Sequence, residues 1–296
     1  MRLPYEIFIA LRYLRAKRKQ AFISVITLIS IIGVAIGVMA LILVLGVMTG
    51  FSDDLKQKFL GTNSHVMISR FGAGMSDYRG VMERISGVRD VVASTPSVLS
   101  QVMLSSGSYV SGVVLHGIDI PTAPDVINIK ETIVEGELSL LEGDSADGEG
   151  SELPGIIIGK ELSRILGVYP GNPVTVISPA GLLSPAGMVP RWKKFLVVGT
   201  FESGMYEYDT SIAYISVASA QKLLKMPDEV TKIGVKVKDI YNTRSVVNKI
   251  MEIIGPSYQV RDWKEMHRNL FSALELEKTA MFIILILIII KCSRIR

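Results

Sequence analysis

The chain has 296 residues, is 49% apolar, has a mean hydropathy of +0.39, and carries 32 basic against 28 acidic side chains. That content excludes an intrinsically disordered chain, and the lone cysteine, Cys292, excludes a disulfide scaffold. The net charge of +4 is unevenly spread: Lys and Arg crowd both ends, while the middle is acidic, so the basic pI needs no nucleic acid to explain it.

Residues 4–19 predict a basic amphipathic helix, with Ile7, Phe8, Leu11 and Leu14 on one face and Arg12, Arg15 and Lys19 on another. Residues 20–52 follow without a single formal charge, and 21–52 as one helix would be about 48 Å long, enough to cross a bilayer. The run exceeds a signal-peptide core, and no small-residue cleavage site follows it, so it is read as a retained span. It contains Gly33/Gly37 and Gly46/Gly50. The nine residues from Gly37 to Gly46 place the two pairs about 180° apart, suiting a helix packed between two neighbours. Basic flanks assign residues 1–19 to the cytoplasm and residues 53–275 to the far side. Residues 276–296 hold a second apolar run, 279–290, of 12 residues, too short to span alone.

The middle segment predicts an α+β domain with a mixed sheet. Strands are expected at 65–69, 91–104, 109–118, 155–159, 173–178, 194–201, 212–216 and 233–237. Helices are expected at 77–86, 160–166, 218–225 and 243–254. Residues 142–152 read as an acidic, glycine-rich solvated loop, and a division into two subdomains is expected near 120–150.

Catalytic patterns are lacking in the sequence. Gly155-Ile-Ile-Ile-Gly159-Lys160-Glu161 has one residue too few between its glycines for a phosphate loop, and Glu161 stands where Ser or Thr is needed. His65, His116 and His267 are far apart, with no ligand-spaced cysteines or carboxylates, and no nucleophile elbow occurs. Neither an enzyme nor a cofactor or metal site is expected. The distinctive loop is 178–194, between two strands. Pro179, Pro185 and Pro190 stiffen it, Leu182, Leu183, Met188 and Val189 make its tip apolar, and Arg191, Trp192, Lys193 and Lys194 lie at its base. Such a hairpin suits docking, because little ordering entropy is lost on binding.

Three segments together resemble a known family: the opening A-L-R-Y-L-R, the run F-I-S-V-I-T-L-I-S-I-I-G-V-A-I-G-V with V-M-T-G-F, and G-M-Y-E-Y-D at 204–209. They are similar to the transmembrane permease subunit of the lipoprotein-releasing ABC transporter, the LolC/LolE family, along nearly the whole chain. The resemblance implies a bacterial inner-membrane permease with a MacB-like periplasmic core. It implies a separate ATPase subunit, a second permease subunit forming a homo- or heterodimer, a lipoprotein substrate and a soluble periplasmic lipoprotein carrier. Within one branch of the family a hairpin grips the carrier. Pro179, Gly181, Leu182, Leu183, Pro185, Gly187, Met188 and Pro190 match its position, with Lys193 in the adjoining basic patch. Trp192 departs from the polar residue expected there. Members continue beyond the second span, so a truncated or frame-shifted chain is expected here. Two other readings stay open: a related permease for drug export or cell-wall hydrolase control, and a single-span anchored binding or sensor domain.

Overall fold

The structure is a computed structural model describing Tyr5, Ile9 and residues 21–72, 74–142, 153–184 and 187–294. The basic N-terminal helix and the acidic loop therefore fall almost wholly outside the described residues. Two compact units are distinguished: Met1–Leu55 with Asn269–Arg296, and Lys56–Arg268.

Helix α1, Ala21–Thr62, is 42 residues long and contains a 24-residue apolar segment, Ile31–Asp54, in which most apolar side chains, Ile36, Ile42 and Leu43 among them, are exposed. It outruns the charge-free segment by ten residues. D-D-L-K-Q-K-F-L lacks proline and glycine, so nothing interrupts the helix until Gly61.

In the second unit, β1 (Val66–Arg70) leads through α2 (Tyr78–Ser86) to the long hairpin β2 (Val91–Ser106) and β3 (Tyr109–Ile118). Two single-turn helices, α3 (Ala123–Val126) and α4 (Ile129–Thr132), precede β4 (Ile133–Glu135) and a 3-10 turn at Leu138–Glu142. Next come β5 (Gly155–Gly159), α5 (Lys160–Leu166), β6 (Pro173–Ser184), β7 (Gly187–Phe201), α6 (Tyr206–Ser211) and β8 (Ile212–Ser216). The unit ends with α7 (Val217–Leu224), β9 (Lys232–Val237), α8 (Thr243–Ile254), β10 (Tyr258–Asp262) and α9 (Trp263–Met266).

All ten strands form one mixed sheet in the order β10-β1-β9-β2-β3-β8-β5-β7-β4, with β6 joining β2 to β7. Among the described residues, only β3/β8 and β5/β7 run parallel. On one edge of β2, residues 91–97 pair with β9 and residues 103–105 pair with β6; β3 takes the other edge. The sheet forks there, and β2-β3-β8-β5-β7-β6 close into a six-stranded ring.

The main core is built from alternating residues such as Val98, Val102, Leu104, Val176, Phe195 and Val197. A smaller cluster gathers Ile118, Ala123, Ile129, Leu138 and Leu141 onto Ile157, Phe201 and Tyr214. The segment expected to separate two subdomains thus packs back onto β5, β7 and β8, and the sheet runs through without a break. Helix α5 stops at Gly167, whose φ of +63° lies in the left-handed region and whose N–H bonds the Arg164 carbonyl. After the second unit, helix α10 (Arg268–Arg294) starts well before the apolar run at 279, because R-N-L-F-S-A-L-E-L-E-K is itself a good helix former.

Candidate functional site

Strands β6 and β7 continue through the segment expected as a loop. They pair from Pro173↔Leu196 to Ser178↔Arg191, and again from Leu182↔Val189 through Leu183↔Met188 to Ser184↔Gly187. Between these runs the register shifts: Pro179, Ala180 and Gly181 face the single residue Pro190. Proline has no N–H to donate, so a ladder with Pro179 and Pro190 at one level cannot stay regular, and the excess residues bulge. Pro185 lies outside the described residues.

Below the shift, alternation sorts the side chains. Phe195 and Val197 are buried inside, whereas Trp192 is 67% exposed and Lys194 is also exposed on the outer face. Register aligns Trp192 with Ile177, Met103 and Gly112 across four strands. Met103 is 48% exposed, and Pro179 joins it in lining a shallow groove of about 380 Å³. An apolar strip therefore runs from the hairpin base over β6 and β2. Sequence reading missed Met103 and Ile177; the available signal was an apolar residue at the outward parity between buried neighbours. Lys193 is half-buried, on the inward parity, with its Nζ 5.8 Å from the Phe195 ring centroid. It and Lys194 face opposite sides of the strand.

At the hairpin base, the Arg191 Nη1–H donates to the Leu224 carbonyl at 2.9 Å and so satisfies the last turn of α7. Arg191 Nε and Ser178 Oγ, on cross-strand neighbours, are buried without a partner among the described residues. Unsatisfied buried polar atoms each cost about 1–3 kcal/mol, so the base is held less firmly than the ladder suggests.

The phosphate-loop lookalike is structural. All five residues of β5 are buried; a Cβ on Gly159 would collide with the Asp209 carbonyl, and one on Gly155 with the Leu140 carbonyl. Close backbone approach, not phosphate binding, requires these glycines. His116 is half-buried and edge-on to Tyr214, 5.5 Å between centroids, and desolvation pulls its pKa down to about 3. His65 accepts a hydrogen bond from the Val237 N–H at 3.2 Å, and burial lowers its pKa too. Among the described residues, no three His, Cys, Asp or Glu side chains cluster to hold a metal.

The 204–209 motif is an anchor. Buried Asp209 accepts from the Ser203 N–H and Oγ–H, both at 2.8 Å, and Tyr208 Oη accepts from Asn63 Nδ2 at 2.8 Å. The Asn128 N–H donates to the Gly61 carbonyl at 2.9 Å. These bonds tie the end of α1 to the sheet. Along the apolar part of α1, a Cβ added at Gly33, Gly37, Gly46 or Gly50 would meet nothing within 4 Å.

Residues 27–253 match the family model of the MacB-like periplasmic core domain. The chain is 37% identical over 285 residues to the lipoprotein-releasing system transmembrane protein LolC of Neisseria meningitidis serogroup B, covering 96% of this chain and 67% of that protein. LolC of Xylella fastidiosa (strain Temecula1) is 35% identical over 97% of this chain and 67% of its own length. The periplasmic region of MacB from Actinobacillus actinomycetemcomitans aligns with 72% of this chain and 94% of that chain, at 16% identity and a TM-score of 0.44. With a long apolar helix leading into a mixed-sheet domain matched by that family model, the chain belongs to the LolC/LolE family of lipoprotein-releasing system transmembrane proteins.

Proposed function

We propose that this chain is the permease subunit of an ABC transporter that releases outer-membrane lipoproteins from the inner membrane to a soluble periplasmic carrier. The observation that carries this reading is the 37% identity to the Neisseria protein along 96% of the chain. In this reading α1 lies in the inner membrane with its basic flank in the cytoplasm, and Lys56–Arg268 is periplasmic. A separate subunit hydrolyses ATP, so this chain has no catalytic task and needs no cofactor. A second permease subunit, identical or not, packs against the glycine faces of α1, where the chain itself leaves room.

The β6–β7 hairpin is the carrier-docking element. Its proline-bracketed backbone limits the entropy lost on binding, and the Trp192–Ile177–Met103 strip with Lys194 continues the surface at its base. A photo-crosslinking amino acid at Leu182, in the full chain co-expressed with its ATPase and carrier, should capture the carrier. A Leu182→Ser/Leu183→Ser pair should lower retention about tenfold, the scale of two lost apolar contacts at an interface. Equal capture from a probe at exposed Val92 would sink this assignment.

A further inference from the structure

The opposite end of the sheet offers a second surface. Among the described residues, strand β10 pairs with β1 alone, from Val66↔Asp262 to Arg70↔Tyr258, without any register shift. The Phe71 N–H donates to the Ser257 carbonyl, and the Trp263 N–H donates to the His65 carbonyl. Odd-numbered residues of this stretch therefore bond β1, and Tyr258, Val260 and Asp262 turn their backbone N–H and C=O groups away from it. Among the described residues, no strand takes them up. They open into a groove of about 1260 Å³ between β10 and α8.

The groove's chemistry favours one kind of occupant. Arg244, Arg261, Lys264 and Arg268 line it and are all exposed, against the carboxylates of Asp262 and Glu265. Asp262 already accepts from the Glu265 N–H and the Thr243 hydroxyl, both at 2.8 Å. Residues 53–280 are acidic overall, so this basic lining is a local feature of an otherwise negative domain. Exposed Phe71, Tyr241 and Met251 add apolar contact at the groove walls. Edges left open in water are usually blunted by bulges or proline, and β10 has neither.

We propose that the β10–α8 groove binds an extended, carboxylate-bearing peptide segment of another protein, which adds as an eleventh strand to the free edge of β10. Main-chain bonds to Tyr258 and Val260 would supply affinity, and Arg244 and Arg261 would select acidic side chains. The proposal goes beyond the transport reading and does not depend on it.

The test uses the full chain in phosphatidylcholine nanodiscs and a fluorescein-labelled octapeptide, Asp-Val-Thr-Val-Asp-Val-Thr-Glu, followed by anisotropy. Saturable binding is expected, weakened about tenfold or more by Arg244→Glu/Arg261→Glu. N-methylation of alternate peptide amides should abolish binding on one edge and spare it on the other, since only one edge can pair with β10. The Leu182→Ser/Leu183→Ser variant, altered only in the hairpin, should bind the peptide like the parent. No saturation by about 1 mM peptide, or equal binding by both methylated peptides, would overturn the proposal. So would binding confined to phosphatidylglycerol vesicles, which would make the groove a headgroup site.

Discussion

The β6–β7 hairpin and the β10 edge are both places where strands of one sheet meet solvent, and their backbones differ in kind. The hairpin carries paired prolines and a register shift that interrupt regular pairing below its tip. β10 has no proline, no shift, and outward amides beside a basic groove. A strand interrupted in this way presents side chains but no continuous backbone ladder, whereas an uninterrupted edge offers the ladder itself. One sheet can thus carry two modes of recognition: a surface read by side-chain contact and an edge read by pairing.

The severest way to break the comparison is to damage the frame both regions share. Gly159→Ala drives a Cβ into the Asp209 carbonyl and should cost about 2–4 kcal/mol, lowering the melting temperature and disabling both surfaces together. Replacing residues 180–189 by Asn-Gly should separate the two. Carrier crosslinking should fall about a hundredfold while melting and peptide binding at β10 stay unchanged; a parallel loss at β10 would show the regions are coupled.

Acid should act on the frame alone. His116 has a folded pKa of about 3 against an ordinary 6.5, so its burial contributes stability above pH 6.5 that is lost as pH falls toward 3. Over that window the unfolded chain binds the extra proton, and this group alone removes about 1.4 kcal/mol per pH unit. His65 acts in the same direction. Denaturant melts at pH 7 and pH 5 should show the slope, and His116→Phe should flatten it.

Arg191→Ala removes the bond to the Leu224 carbonyl and should cost about 1 kcal/mol, loosening the hairpin base and sparing β10. The mildest probe changes no residue. In hydrogen exchange, the amides of Tyr258 and Val260 should exchange faster than those of Gln259 and Arg261, and bound peptide should slow the first pair.

Much of the frame was legible because its patterns are local. β3, β5, α5, β8 and α8 have the bounds their periodicity and glycine stops predict. β10 escaped notice because Y-Q-V-R-D is short and its buried residues, Tyr258 and Val260, are only two. Alternation tells which face a residue takes but not which strand lies beside it. Hence Trp192 and Lys194 could be listed as a hairpin base while their alignment with Ile177 and Met103 stayed hidden. The prolines of 178–194 suggested a loop, yet strand pairing persists on both sides of them, because Pro179 and Pro190 share the one level where the ladder is already interrupted.

The fork in β2 also sets how a load on the hairpin is borne. β6 is flanked by β7 on one side and by residues 103–105 of β2 on the other. A pull along the hairpin axis therefore shears two ladders at once, with several bonds resisting in parallel, instead of unzipping one bond after another. Force applied at the tip would be shared with β2, and through β2 with β3 and β9, so that the hairpin acts as a lever set in the sheet.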